Sequence, residues 1–401
     1  MNDSELHDVL HRATEHVESP DLAREALVEA RRRHFRRRAG LASAAAAVVV
    51  GAVVVGSLVS GADHDATPAP APTLPTNVPS EVEAVTPPLW DPFTIPALPV
   101  RASVLPQHLT PPDDPPSVLD QPMSAAVLAL PEEGRLLRLL GTDGEWRSVP
   151  GTSNAIADSL RPVVDPAISH DGRQVAMSVD SGILVVDVTA GESRIIPWPE
   201  EIAGPWDFPL PLLWQPAGDG FVVLYGTDTW QIGLDGDAHP APYGDSYPYL
   251  AIEPGGAVYQ NDYDWRRLLT WQGDVRVDDS PFPQCERLVA AQGMVACTTG
   301  SIEPFRSGPV VVDAASGEVL GYAPIKDKSA VYSDNGHLTA MGFLDADTVL
   351  LLVAPMDSRT MEIGEGQTHL VAWRFRTGEF ERISSGRQGL RTIEVAPALV
   401  E

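Results

Sequence analysis

The chain lacks the linear motifs that announce a chemistry. No nucleophile elbow, S-x-x-K, HExxH, P-loop or Rossmann glycine pattern occurs in its 401 residues, so no such motif points to acyl transfer, zinc proteolysis or nucleotide binding. Positive charge is also scarce: 28 Lys and Arg stand against 55 Asp and Glu, for a formal net charge of −27. The deficit is uneven. Residues 1–38 carry eight Arg and eight acids and are neutral, so residues 39–401, with 20 basic and 47 acidic groups, hold the whole excess. A surface that acidic repels phosphate backbones, which argues against nucleic acid as a partner of the large domain. Lysine is nearly absent, with Lys326 and Lys328 against 26 Arg, a pattern that reads as GC-rich coding bias and not as chemistry. His108, His170, His239, His337 and His369 are scattered without ligand spacing. Neither a metal nor a cofactor is expected, and no catalytic residue is assigned.

Apolar sequence is continuous in one place. Residues 39–62 contain 24 residues without a charge, rich in Ala and Val. About 20 such residues cross a hydrocarbon core of roughly 30 Å. Arg31, Arg32, Arg33, Arg36, Arg37 and Arg38 precede the run, and Asp63 and Asp65 follow it. Positive charge stays cytoplasmic, so the expected topology is a single-pass cell-membrane protein with its N-terminus inside and everything after residue 62 outside. The competing reading is a signal peptide cleaved after Ser60-Gly61-Ala62, against which stands a polar leader of 38 residues.

The cytoplasmic tail, residues 1–38, reads as helical. Leu6, Val9, Leu10 and Ala13 fall on one face, and Ser19-Pro20-Asp21 is a helix-start signal. His7 and His11 lie one turn apart but lack a third ligand. The Arg cluster is explained by orientation and contact with lipid phosphates. A helical tail exceeds what insertion needs, however, and leaves room for a cytoplasmic partner. Residues 63–100 form a Pro-rich extracytoplasmic stalk: between Ala66 and Pro122, 16 of 57 residues are Pro, which favours extended polyproline II. From Leu89 onward, Trp90, Phe93, Ile95, Leu98, Val100 and Leu105 are too apolar for a solvated linker. That half of the stalk is expected to lie against the globular domain, residues 101–401.

Within that domain a Gly followed by an acid recurs six times: Gly144-Glu145, Gly191-Glu192, Gly236-Asp237, Gly273-Asp274, Gly317-Glu318 and Gly378-Glu379, at gaps of 47, 45, 37, 44 and 61 residues. A second polar turn precedes each pair, and between the turns run short alternating segments rich in β-branched and aromatic residues. That period, built from strands, predicts a β-propeller. The first unit has only ten residues between its two turns and no room for an innermost strand. The terminal segment Leu390–Leu399 is left to supply it, which gives six blades closed by the C-terminal strand.

One stretch carries a resemblance. Pro166-Ala167-Ile168-Ser169-His170-Asp171-Gly172-Arg173-Gln174-Val175-Ala176 is similar to the P-x-x-S-P-D-G-x-x-[VI]-A signature of TolB-like and WD40-like propellers, with His170 at the usual Pro. The resemblance implies an architectural turn and no catalysis. The whole chain also resembles membrane-anchored propeller proteins of actinobacteria, which have an Arg-ended tail, one span and a Pro-rich stalk. The fold class expected is therefore all-β, a six-bladed propeller preceded by a helical tail, a membrane helix and a stalk.

Cys285 and Cys297 are the only cysteines. A hairpin turn centred on Ala291 sets them directly opposite, within reach of a disulfide. Asn261, Asp262 and Asp264 sit at a strand end and read as a polar turn before they read as a Ca²⁺ site. Aromatics concentrate in blades three and four. Most are packing residues, but Trp206, Tyr243 and Tyr247 are candidates for a recognition surface on the loops. The function expected is a non-enzymatic binding or sensing module for an extracytoplasmic ligand or protein. The alternatives are a hydrolase or lyase with residues converging on the channel mouth, and a transmembrane regulator acting through its tail.

Overall fold

The computed structural model describes residues 88–131, 136–152, 166–202, 210–225, 228–243, 250–262, 266–299, 307–326, 337–354, 368–386 and 393–400. The expected tail with Arg31–Arg38, the apolar run 39–62 and the stalk to residue 87 lie outside these. No helix among the described residues is long and apolar enough to cross a membrane.

The described chain begins with a short 3-10 helix, Pro92–Ala97, capped by the Asp91 carboxylate, and a two-residue strand β1, His108–Leu109. Twenty-four strands follow. Blade one holds β2 (Ala126–Leu130), β3 (Leu137–Gly141) and β4 (Trp146–Val149). Blade two holds β5 (Ala167–Ile168), β6 (Gln174–Val179), β7 (Gly182–Asp187) and β8 (Glu192–Pro197). Blade three holds β9 (Leu212–Trp214), β10 (Gly220–Tyr225), β11 (Asp228–Gly233) and β12 (Ala238–Pro240). Blade four holds β13 (Leu250–Ile252), β14 (Val258–Asp262), β15 (Arg267–Gln272) and β16 (Val275–Pro281). Blade five holds β17 (Cys285–Ala291), β18 (Met294–Thr299), β19 (Gly308–Asp313) and β20 (Val319–Tyr322). Blade six holds β21 (His337–Asp345), β22 (Thr348–Ala354), β23 (Thr368–Arg374) and β24 (Glu379–Gly386). The last strand, β25 (Glu394–Val395), returns to blade one and pairs antiparallel with β2, giving the order β25-β2-β3-β4. The chain is a six-bladed β-propeller closed by its C-terminal strand, as the missing inner strand of the first repeat requires. The closing strand is two residues long, not the ten of Leu390–Leu399, because Pro397 starts a 3-10 turn that ends the ladder.

Period-two alternation explains the cores. The middle strands read as nearly unbroken apolar runs because each face packs against a different neighbouring blade. In β22, Val349, Leu351 and Val353 join the layer shared with blade five, while Leu350 and Leu352 join the layer shared with blade one. Six such layers fill the six gaps between blades. The Gly-acid repeat also has a mechanical cause. Each pair closes the turn from third to outer strand, and each of these glycines has φ between +55° and +93°, a conformation that costs an L-residue about 1 kcal/mol or more.

Residues 88–118 wrap the outside of the ring as a belt. Trp90 bridges to Ile325 after blade five, and Val100 bridges to Arg382 on blade six. β1 then adds a fifth, parallel strand to blade six along β24, and Ser117 bridges to Ser148 on blade one. Trp90 anchors the belt: it is 7% exposed and stacks on Phe380 with ring centroids 4.2 Å apart. The expectation that Leu89 onward lies against the propeller therefore holds. Leu89, Phe93 and Val100 are the exceptions, 39 to 52% exposed. The belt also meets the C-terminus, since the Val104 amide donates to the Val400 carbonyl at 3.1 Å. The seam between blades six and one is thus sealed inside by β25 and outside by the belt.

Candidate functional site

Strand alternation gives the propeller two unlike faces. Turns from inner to second and from third to outer strand lie on one face. All eleven formed within single blades contain two to five residues, judged from the strand ends. Connections from second to third strand and from one blade to the next leave from the other face. Some are equally short, but residues 150–166, 198–211, 323–336 and 355–367 are far longer than any turn opposite. Long connections carried on a rigid scaffold are where binding residues concentrate.

The short-turn face is acid-rich for a structural reason. Asp143, Asp171, Asp235 and Asp345 each accept the backbone amide two residues on, at 2.8 to 3.1 Å. Asp187 accepts from the Thr189 hydroxyl and the Thr189 and Ala190 amides, and Asp313 accepts from the Ser316 hydroxyl and amide. These Asx turns fix the hairpins. The Thr189 and Ser316 hydroxyl bonds, aided by the amides, hold the Asp187 and Asp313 carboxyls below the usual range. Burial opposes the same effect at Asp345, but the Asp347 amide and Arg101 bring it down. The motif residue Asp171 also accepts from Ser169 Oγ at 2.8 Å, and Gly172 has φ +71°. That stretch is architectural, as its resemblance implies.

Of the three aromatics proposed for recognition, Trp206 and Tyr247 lie outside the described residues. Tyr243 is 2% exposed and sits between blades three and four. Its ring meets Trp271 edge-on at 5.7 Å, and its hydroxyl bonds Gln231 and the Gly273 carbonyl. Burial and the nearby Asp274 push its phenol pKa up. Tyr243 thus packs between the blades here, although it lies in the connection from β12 to β13.

Cys285 and Cys297 form a disulfide, with Cα atoms 5.8 Å apart. The register that suggested it needs correction. The turn is Gln292-Gly293, both at positive φ, and Cys285 faces Thr299 while Cys297 lies diagonally opposite. The turn moves the pairing three positions from a count centred on Ala291, and a bulge in β17, where Arg287 has φ +50°, moves it back by one. Both half-cystines are buried, at 1% and 0%.

Asn261 faces inward and donates to the Cys285 carbonyl at 2.8 Å, and Asp264 lies outside the described residues. Among the described residues no three of His, Cys, Asp and Glu come together as a metal-binding set. A second carboxylate, Glu253, accepts from Tyr259 at 3.1 Å and from the Gly293 amide at 3.3 Å, tying blade four to blade five. Burial, with Glu253 beside it, pushes the Tyr259 phenol well up.

The buried His369 has no signal in the linear sequence. Its Nδ1 lies 2.9 Å from Ser385 Oγ, and the two residues are 3% and 2% exposed. A Ser–His contact suggests a nucleophile and base. Both side chains of this pair are buried within blade six.

No protein-family model matches the chain, and no curated protein matches it. Among solved structures it is similar to the hydrazine synthase of Kuenenia stuttgartiensis, at 12% identity and a TM-score of 0.40, over 56% of this chain and 65% of that one. It is similar to a putative TolB from Agrobacterium tumefaciens, at 14% identity and a TM-score of 0.35, over 71% and 86% of the two chains. It is also similar to the β-propeller domain of Myceliophteria thermophila Cps50 (Swd1), at 9% identity and a TM-score of 0.38, over 69% and 91%. Likeness at this level adds nothing about ligand or activity, and the propeller assignment rests on the strand order above.

Proposed function

We propose that the chain is a single-pass membrane protein whose propeller stands outside the cytoplasm as a non-enzymatic binding module. Residues 39–62 hold it in lipid, and the face bearing the long connections reads a ligand or protein partner. The observation that carries this reading is the asymmetry of the faces: short, Asp-fixed turns on one, and connections of up to 17 residues (150–166) on the other. The Cys285–Cys297 bond supports an oxidising compartment, since such bonds are rare in cytosolic proteins. The Arg-flanked apolar run supports the same orientation. The Ser385–His369 contact does not favour a hydrolase, because it is enclosed.

Photo-crosslinking in intact cells tests the reading. A crosslinker at Trp206 or Tyr247, in the chain segments that join blade two to three and blade three to four, is expected to give a discrete adduct. The same group at Asp237 or Glu318, on the short-turn face, is expected to give none. Equal labelling from both faces, or none from either, counts against a binding face. Labelling of Asp237→Cys and Glu318→Cys by a membrane-impermeant maleimide on whole cells tests the topology separately. Protection until the cells are lysed would overturn it.

A further inference from the structure

We propose that residues 88–103 of the belt are a yielding strap. Under tension from the stalk they peel off blades five and six in chain order, lengthening the tether while the ring stays closed.

The belt grips the ring at separate places. At the first, residues 90–95, the Trp90 amide donates to the Pro324 carbonyl at 2.8 Å and the Lys326 amide to the Trp90 carbonyl at 3.0 Å. Trp90 and Ile95 are buried there against the layer between blades five and six. At the second, residues 98–101, the Arg382 amide donates to the Pro99 carbonyl and the Arg101 amide to the Arg382 carbonyl, both at 2.9 Å. The Arg101 guanidinium pairs with Asp345 and Glu381 at 3.5 Å, and Val100 is 41% exposed, so this grip is mainly polar. Pro96, Ala97 and Ala102, which separate the grips, are exposed.

The third grip, residues 104–109, is of another kind. The Val104 amide donates to the Val400 carbonyl at 3.1 Å and the Ser385 amide to the Gln107 carbonyl at 3.0 Å. His108 and Leu109 pair in parallel with Ser385 and Gly386. Leu105 and Leu109 are buried inside the layer between blades six and one. Here the belt is part of the seam and is tied to the closing segment.

The order of release follows from these differences. Each of the first two grips is an isolated bridge, whereas β22 and β23 pair at six positions and β23 and β24 at seven. No ladder within blades five and six runs through residues 88–103. A load entering at residue 88 therefore meets one bridge, then the next, and reaches the third grip and the blade ladders only afterwards. Segments held by few backbone bonds and few buried side chains open at the lowest free energy. Peeling stops at Val104, where further movement would pull on the C-terminal closure. That such a load exists rests on the reading of residues 39–62 as a lipid anchor. The mechanical order does not, so the maleimide labelling above and the experiment below can fail independently.

Single-molecule pulling on the full chain in detergent tests the strap. DNA handles are attached at Leu89→Cys and Asp237→Cys, both exposed positions. Cys285 and Cys297, bonded and buried, do not take a handle. The expected first event is a gain of at most roughly 50 Å, the length of residues 89–103 at about 3.5 Å each. Rupture of the ring, releasing roughly 500 Å between the same handles, is expected only at higher force. Trp90→Ala should lower the force of the first event, and an unchanged force overturns the proposal. Moving the first handle to Ala102→Cys, beyond both weak grips, should abolish that event and leave the ring rupture. Should Trp90→Ala fail to fold, the Ala102 handle, which leaves every grip intact, decides alone. An early event that survives the move, or a single rupture of the whole domain from Leu89, overturns the strap.

Discussion

Truncating Val395 to Ala tests how the ring closes. Val395 is 3% exposed, pairs with Leu128 and packs in the layer between blades six and one. Losing two methyl groups removes about 1.6 kcal/mol of transfer free energy at roughly 0.8 per carbon. The residual cavity raises this to about 2–3 kcal/mol. The control is Ile195→Ala on outer strand β8, an apolar residue of similar sequence setting but 51% exposed, where the expected change is within about 0.5 kcal/mol. Equilibrium urea unfolding of both variants separates the cases: the midpoint falls for Val395→Ala alone, with the slope unchanged. Removing residues 393–401 goes further. It takes away Ile393, Val395 and Val400, buried at 3%, 3% and 1%, or roughly 6 kcal/mol at about 2 per side chain. That approaches the whole stability of an ordinary domain, about 5–15 kcal/mol, so cooperative unfolding is expected to vanish. Equal, small effects of Val395→Ala and Ile195→Ala would refute the closure described here.

Other outcomes follow from the same contacts. Trp90→Ala removes the ring stacked on Phe380 and is expected to cost about 3–5 kcal/mol, measured by urea midpoint. A loss below about 1 kcal/mol would mean that the belt does not hold. A Cβ on Gly342 would run into the Pro397 ring, so Gly342→Ala should lower the thermal midpoint, and adding Pro397→Ala should restore part of it. Additive effects would separate the two residues. Reducing the Cys285–Cys297 bond, whose sequence separation is 12, should lower stability by about 3 kcal/mol by denaturant titration with and without reductant. Asp187 and Asp313 have depressed pKa values, so their stabilisation is present above pH 4 and is lost as pH falls through their folded values. Asp313→Asn should flatten the acid limb of stability against pH, and an unaltered limb would remove Asp313 as its cause.

The blades were legible because their punctuation is local. A glycine that must adopt positive φ leaves a mark in any sequence, and six such marks at the same hairpin corner fix the period. The absent inner strand was equally readable, as a unit too short to hold four strands. Register across β17 and β18 was not, because the turn falls at Gln292-Gly293, which moves the count by three positions, and the bulge at Arg287, which depends on packing, moves it back by one. Tyr243 looked like a loop residue by composition, and only tertiary structure turns it between blades. His369 carries no sequence signal, since only the register of β23 against β24 sets it beside Ser385. The belt's apolar residues were visible, but its course around blades five, six and one was not, because a single bridge at Trp90 or Ser117 has no periodicity to detect.

The double seam has a consequence for biosynthesis. Residues 88–118 are made before any blade, and β25 is the last of the described strands, yet both must meet across nearly the full length of the domain. Contacts so distant along the chain are slow to form. Until β25 has been made, the first blade presents the bare edge of β2 to its surroundings, an invitation to mispairing. The nascent domain therefore remains an open fan until β25 has been made and can become a ring only then.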